Sequence, residues 1–251
     1  MFEKVIEFSA HEDYFSIKED YPIPIKLNIP EWYKKLEHTF LNKTVKGCMP
    51  FLDSLTAGYL LKMPQDFNLR HNVDSKDEKG EMIKDSFQTF GLYDQSQLLN
   101  AKKINLNSGI DIHPTKQLGE APFIEKNKNL PFYKIINPWK IKTPKGYSCL
   151  FVPPLNNSDD RFSVIPAIVD TDTFPNEINF PIIINGDKYP VLETIIKKGT
   201  PYVQIIPFKR DNWKMTVKPR LQKEVQNSRL FHGLSLLNLY KDKYWNKKSW
   251  K

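Results

Sequence analysis

The stretch "VIPAIVDTDTFPNEINFPIIIN", Val164 to Asn185, contains the pattern that decides the fold. Two short runs of β-branched and apolar residues, 164–169 and 180–184, lie on either side of a polar middle. Short runs of this kind, closed by Pro, Asn or Asp, are typical of strands in antiparallel sheets. The stretch therefore predicts two buried strands with a polar connection between them.

Runs of the same character continue through the second half of the chain. They include "KIKTPKGYSCLFV", "YPVLETIIKKG" and "TPYVQIIPFKRDNW", each closed by Pro, Gly, Asn or Asp at roughly even spacing. "NGD" at 185–187 predicts a hairpin turn, because Asn and Gly tolerate positive φ, and "TPKG" at 143–146 predicts a second turn. We therefore predict a mainly β fold, a sandwich or a distorted barrel, over about residues 100–215.

The first hundred residues mix helical and strand patterns. An alternating run near the start predicts a strand, and Pro30 favours a short helix at 31–38. A helical turn at 50–57 and the strand "GYLLKM" follow. The polar segment 68–80 predicts an exposed loop or hairpin.

The last part of the chain is helical and basic. Apolar residues after Pro219 recur at helical spacing, which predicts a C-terminal helix. We expect a single domain over 1–251, with an N-terminal α/β layer at about 1–100, a β core at about 101–215, and a helix with a basic tail at about 216–251.

Composition indicates a folded protein with a basic surface. The chain has 40% hydrophobic and 13% aromatic residues, 19 Pro against 10 Gly, and a formal net charge of +8. Its first residues lack the apolar core of a signal peptide, and no apolar run approaches the length of a transmembrane helix. We expect a soluble protein that is not exported and has no membrane partner.

The basic residues are densest in "YKDKYWNKKSWK", which begins at Tyr240. Lysines interleaved with aromatic residues suit nucleic acid, through phosphate neutralisation and base stacking. They also suit a tail whose aromatic residues pack on the body while its lysines stay in water, which is the interpretation that we favour. The lysines concerned are Lys241, Lys243, Lys247, Lys248 and Lys251.

Asp170 and Asp172 are the first candidates for chemistry. On a strand they point to the same face, because side chains repeat every second residue. Two neighbouring carboxylates repel each other, which raises the pKa of one and suits a general base. The alternative is structural, since Asp and Thr commonly cap strand ends and bond to backbone in turns.

A ligand site is the other possibility in the β-rich half. His113 lies beside Asp111 in a predicted loop, with Gln117 shortly after it. We expect His113, Gln117, Trp139 and Gln204 to bind a ligand and, with the two acids, to lie around a pocket at the mouth of the β unit, as ligand sites in β proteins commonly do.

Three stretches resemble, in the same order, the trimeric dUTPases. They are "IKTPKGYSCLF", "PAIVDTDTFPNEINFPIIIN" and "KKGTPYVQIIPF". The resemblance implies that Asp170 activates water, that Gln204 belongs to the last strand, and that Mg²⁺ is the cofactor if the protein hydrolyses nucleotides. The chain departs from that pattern at Ala167, at Thr173-Phe174 and at Pro153-Pro154-Leu155, where a Gly, a Tyr and a phosphate-binding Arg-Ser-Gly are usual.

A second resemblance covers nearly the whole chain. "IPEWYKKL", "NPWKIKTPKGYSCLFVPPLN" and "KKGTPYVQIIPFKRDNW" are similar to an uncharacterised family of tailed marine phages and bacteria. It implies a phage gene expressed in its host, located in the host cytoplasm or the virion, and it brings no site residue. Three functions follow as expectations: a binding protein for a small ligand or peptide, a divergent nucleotide hydrolase, or a phage structural or assembly protein.

Overall fold

The structure is a computed structural model that describes residues 4–15, 17–72, 79, 87–92, 110–113, 117, 119, 132–222 and 239–251. The strands are β1 (Glu7–Ser9), β2 (Ile23–Pro24), β3 (Tyr59–Lys62), β4 (Phe67–Asn72), β5 (Phe87–Leu92), β6 (Ile110–His113), β7 (Phe132–Ile135), β8 (Lys140–Lys142), β9 (Tyr147–Val152), β10 (Phe162–Val164), β11 (Ala167–Val169), β12 (Phe180–Ile184), β13 (Val191–Ile196) and β14 (Pro201–Lys209). The helices are α1 (Glu12–Phe15), α2 (Glu31–Lys35), α3 (Met49–Thr56) and α4 (Tyr240–Lys243).

Two antiparallel sheets form the body. One has five strands in the order β11-β9-β14-β3-β2, and the other has four in the order β10-β12-β7-β6. They pack face to face through aromatic residues: the ring of Phe180 in β12 lies 5.4 Å from that of Phe151 and 5.7 Å from that of Tyr202. The fold is thus mainly β and sandwich-like, as predicted.

Burial along the strands explains the pairing. In β12, Phe180, Ile182 and Ile184 are buried while the two residues between them are half-buried. This period of two is the pattern of a strand with one face on the core. The first hundred residues contribute to the same layers, because β3 pairs directly with β14.

Two smaller sheets complete the described part of the chain. β1 pairs with β8, and β4 lies between β13 and β5. The segment expected to be a loop or hairpin at 68–80 begins as a strand, since β4 and β5 are antiparallel neighbours. The sequence of β4 is largely polar, but alternate residues of this strand, Phe67, Leu69 and His71, are buried.

The turns were predicted with mixed success. "TPKG" is a turn, with the N–H of Tyr147 donating to the carbonyl of Pro144 and Gly146 at φ 85°. "NGD" also turns the chain, but it does not close a hairpin, because β12 is already paired with β10 and β7. The following strand, β13, pairs with β4 instead.

The barrel alternative is wrong for the described ranges, whose sheets stay open. A short C-terminal helix, α4, is present, whereas most of the helix predicted after Pro219 falls outside the described residues. No described helix combines the length and apolar character needed to cross a bilayer.

Candidate functional site

Asp170 and Asp172 lie in a turn, as in the structural alternative given above, and not on a strand. β11 ends at Val169, and the N–H groups of Thr173 and Phe174 both donate to the carbonyl of Asp170. The rule that side chains two residues apart on a strand point to the same face therefore does not apply to the two carboxylates. Their positions follow instead from the groups to which each one bonds.

The carboxylate of Asp172 is fully engaged. Arg210 donates to both of its oxygens, with Nη1 2.8 Å from Oδ1. The N–H of Gly146, in the "TPKG" turn, donates to Oδ2 over 2.8 Å. Only 3% of the Asp172 side chain is exposed. The carboxylate joins the turn before β9, the turn after β11 and the end of β14.

These bonds lower the pKa of Asp172 to about 2, from an ordinary value of 3.8. The largest cause is the hydrogen bond from Arg210, followed by the one from Gly146, because both favour the charged form. The raised pKa expected for one of a repelling pair is therefore wrong for this acid. Arg210 supplies the compensating charge.

Asp170 is more exposed, with 60% of its side chain accessible. Its Oδ1 accepts a hydrogen bond from the hydroxyl of Ser148 over 2.6 Å and lies 3.2 Å from Nη1 of Arg210. The same Arg210 nitrogen donates to the Ser148 oxygen over 2.9 Å. We call these four residues, Ser148, Asp170, Asp172 and Arg210, the Arg210 cluster.

The Arg210 cluster connects three neighbouring strands of the five-stranded sheet. Ser148 lies on β9, the acids follow β11, and Arg210 follows β14. A guanidinium thus occupies the place between the carboxylates that a metal ion would take in a two-acid site. Across the ranges that the structure describes, no three His, Cys, Asp or Glu side chains group as metal ligands would.

Gln204, expected to bind a ligand, is buried in the protein. Its Nε2 donates to the carbonyls of Ser54 and Ala57, over 3.0 and 2.8 Å, and its Oε1 accepts from the N–H of Leu155. The amide therefore fixes the end of α3 and the segment after β9 against β14. Its hydrogen bonds leave no atom turned toward a pocket.

The remaining predicted ligand residues lie apart from one another. Trp139 is 3% exposed and packs edge-on against the rings of Tyr14 and Tyr21. His113 is on β6, at one edge of the four-stranded sheet, and stacks on Phe132. Gln117 is exposed. The structure does not bring these residues and the acids to a common mouth.

The C-terminal tail packs on the body through its aromatic residues. The indole N–H of Trp245 donates to both oxygens of Asp53, over 3.1 and 3.2 Å, and Lys248 pairs with the same carboxylate. Trp250 contacts the ring of Tyr59 edge-on. This is the packed-tail arrangement, in which the other four lysines named above are exposed. Binding of nucleic acid stays a prediction.

A groove of about 470 Å³ runs between the chain's first described residues, the "TPKG" turn and the tail. We call it the aromatic groove; it is lined by 4–6, Tyr59, Thr143, Pro144, Tyr147, Pro207 and 249–251. The ammonium of Lys4 lies 4.7 Å from the centre of the Tyr147 ring. Two lysines and three aromatic rings line the groove, and no Asp or Glu is among its described lining residues.

A second groove, of about 420 Å³, follows the outer edge of β10. This β10 groove is lined by 158–160, 162–166 and 183–185. Phe162 and Val164 belong to its apolar floor, and Asp160 is on its rim. Asp160 accepts hydrogen bonds from Lys188 and from the hydroxyl of Tyr189.

Sequence reasoning missed Arg210 and both grooves. Arg210 is the first residue after the strand predicted from "IIPFKR". No motif around it distinguishes it from the other lysines and arginines of the chain. The aromatic groove joins residues from the start, middle and end of the chain, and the only usable signal was the aromatic and basic character of the tail.

Comparisons with known proteins leave the family open. No protein-family model matches the chain, and no curated protein matches it. The resemblances to dUTPases and to the tailed-phage family therefore rest on the quoted stretches and stay predictions.

Proposed function

We propose that the protein is a binding protein for a small anionic ligand that carries an aromatic ring. The observation that carries the proposal is the chemistry of the aromatic groove, in which lysines and aromatic rings line a concave surface that lacks acidic side chains among its described residues. Aromatic rings favour flat ligands by stacking and edge contacts, and lysine favours an anionic group.

The size of the groove suits a ligand of this class. Small-molecule sites have volumes of roughly 300–1,000 Å³ and combine apolar walls with a few polar groups. The neutral polar side chains that line the aromatic groove are those of Thr143 and Ser249 and the phenols of Tyr59 and Tyr147. A nucleoside monophosphate has the required flat ring, anionic group and hydroxyls, so it defines the ligand class.

Calorimetric titration tests the proposal with three probes: adenosine 5′-monophosphate, adenosine, and ribose 5-phosphate. We expect the monophosphate to bind more tightly than either fragment, because only it uses both the rings and the lysines. Lys4→Gln should weaken its binding about tenfold, the effect of losing one charge-assisted contact of about 1.4 kcal/mol.

Lys247→Gln is the matched control, because Lys247 is an exposed tail lysine that does not line the groove. Its binding of the monophosphate should equal that of the unmodified protein. Equal weakening by both substitutions would show that the effect is general charge attraction. The absence of heat for all three probes at millimolar concentration would contradict the proposal.

The hydrolase alternative finds less support in the geometry. A general base needs a carboxylate free to accept a proton from water. Asp172 is held by Arg210 and Gly146, and Asp170 accepts from Ser148 beside the same guanidinium. The assembly alternative is supported by a different feature, the exposed segment 211–222, which is irregular chain over most of its length.

A further inference from the structure

The segment that follows β14 is exposed throughout. Residues 211–222 are all exposed, and the chain has no strand or helix assignment from 211 to 221. Trp213, Met215 and Val217 have 91%, 86% and 86% of their surface accessible. Large apolar side chains exposed to this degree, close together in sequence, are typical of an interaction surface.

The spacing in this segment, which we call the arm (211–222), is that of a strand. Trp213, Met215 and Val217 alternate with Lys214, Thr216 and Lys218, so an extended arm would be apolar on one face and polar on the other. Pro219 then ends any pairing, because it has no N–H to donate. The arm thus has the sequence pattern of an amphipathic strand, but it pairs with no strand among the described residues.

The β10 groove provides the complementary feature. In the described part of the sheet, β10 pairs only with β12. The N–H of Asn185 donates to the carbonyl of Arg161, and the N–H of Ile165 donates to the carbonyl of Pro181. Hydrogen-bonded residues alternate along an antiparallel strand, so the backbone of Ser163 faces β12 as well. By the alternation of an antiparallel ladder, the N–H and C=O groups of Phe162 and Val164 face away from β12.

We propose that the arm of one copy of this chain pairs with the β10 edge of a second copy. The backbone of the arm would bond the outward-facing groups of β10, and its apolar face would extend the core layer beside Phe162 and Val164, which are already buried in the sandwich. The net charges have opposite signs, because the arm contains three cations and one acid, Asp211, whereas the described lining of the β10 groove contains Asp159 and Asp160 and no cation. Within the single chain these two acids pair with Arg161 and Lys188, which lie outside the groove lining.

A second copy is the favoured partner for two reasons. Both complementary surfaces belong to the same chain, so exchange between copies satisfies each of them without another protein. The arm also leaves its apolar side chains exposed in the single chain, so it does not occupy its own groove. This proposal is independent of the ligand proposed for the aromatic groove.

Sedimentation velocity of the full chain over a wide concentration range tests the proposal. We expect the protein to associate reversibly. The double variant Met215→Asp/Val217→Asp should weaken this association more than about tenfold, because its new charges would be buried between the arm and β10. Thr216→Asp is the matched control on the other face of the arm and should leave the association in place. At concentrations where the protein is monomeric, circular dichroism and melting should be unchanged in all variants, since the residues are exposed in the single chain.

Disulfide trapping locates the contact. In a Cys48→Ser background, the variants Thr216→Cys and Ser163→Cys should form a mixed disulfide when combined, because outward side chains of paired strands face each other. Met215→Cys, whose side chain faces the floor, should react less with Ser163→Cys. A protein that stays monomeric at all concentrations, association insensitive to the arm charges, or trapping without preference for Thr216→Cys would overturn the proposal.

Discussion

Arg210 carries the positive charge that lies between the carboxylates of Asp170 and Asp172. In two neighbouring acids, mutual repulsion can raise the pKa of one of them and so prepare it for acid–base catalysis. Here the guanidinium removes that repulsion and adds hydrogen bonds to the charged form of Asp172. The acids therefore join strands through a partly exposed ion-pair cluster at a sheet end, in which only the Asp172 side chain is buried.

We predict that Asp172→Asn lowers the melting temperature at neutral pH by about 2–4 °C. The pKa of Asp172 in the folded protein, about 2, lies below its ordinary value of 3.8. Its charged form therefore stabilises the fold fully above about pH 4, and this stabilisation is lost as the pH falls toward 2. The difference in melting temperature between the two proteins should shrink over the same interval.

Asp170→Asn is the control, because its side chain is mostly exposed and Arg210 keeps its bonds to Asp172. We expect a smaller change in melting temperature, measured by circular dichroism from pH 2 to pH 7. A constant difference between Asp172→Asn and the unmodified protein across this range would contradict the assigned charge pairing.

Gln204→Leu should destabilise the protein by about 2–3 kcal/mol. The substitution leaves the carbonyls of Ser54 and Ala57 and the N–H of Leu155 without their amide partner. Gln222→Leu, at an exposed position, should change the free energy of unfolding by less than about 0.5 kcal/mol. Urea denaturation measures the free energy of unfolding of both variants. Equal losses would mean that the hydrogen bonds of the Gln204 amide do not stabilise the fold.

For single residues, the sequence indicated which polar side chains lie among apolar runs. It did not indicate the groups with which those side chains form hydrogen bonds or ion pairs. Asp172 and Arg210 are separated by 37 intervening residues, and Gln204 bonds to groups about 150 positions away. No local pattern contains such pairings. Turn chemistry was the accurate guide, because a capped turn was one of the two interpretations of the acid pair.

Strands and turns show which local signals are strong. Apolar runs predicted β9, β12 and β14, and the burial of β12 has the period of two of a strand with one face on the core. β14 departs from that period, because four consecutive residues, 202–205, are buried. β4 was harder to recognise, because Asn68, Arg70 and Asn72 hide the alternate burial that makes it a strand. The "NGD" turn shows that a good turn sequence does not choose the partner of the following strand.

Two glycines with positive φ provide a test at the scale of elements. Gly58 connects α3 to β3 at φ 78°, and a Cβ there would lie 2.0 Å from the carbonyl oxygen of Ile205. We predict that Gly58→Ala costs roughly 3 kcal/mol or more, because the sheet backbone must move. The measurement is the free energy of unfolding in urea.

Gly146→Ala is the matched control for that substitution. Gly146 has φ 85°, but a Cβ at this position would have no other atom within 4 Å. Only the backbone strain of about 1–2 kcal/mol therefore remains. Similar losses for the two variants would show that β14 does not approach Gly58 as closely as this distance implies.

The described residues form a sandwich whose two main sheets take strands from both halves of the chain. Its class was predictable, because many short strands with regular turn signals have few other solutions. The choice of an open sandwich over a barrel was not, since it depends on which edges stay unpaired. The same limit applied to the aromatic groove, which forms where the start, middle and end of the chain meet.

The central claim is that a ligand binds at the aromatic groove and not at the Arg210 cluster. The most direct measurement is the change in backbone amide chemical shifts when adenosine 5′-monophosphate is added to the labelled protein. We predict that the changes centre on Tyr59, Tyr147 and the residues next to Trp250. Changes centred instead on Asp170 and Asp172 would contradict the claim and would favour the nucleotide hydrolase.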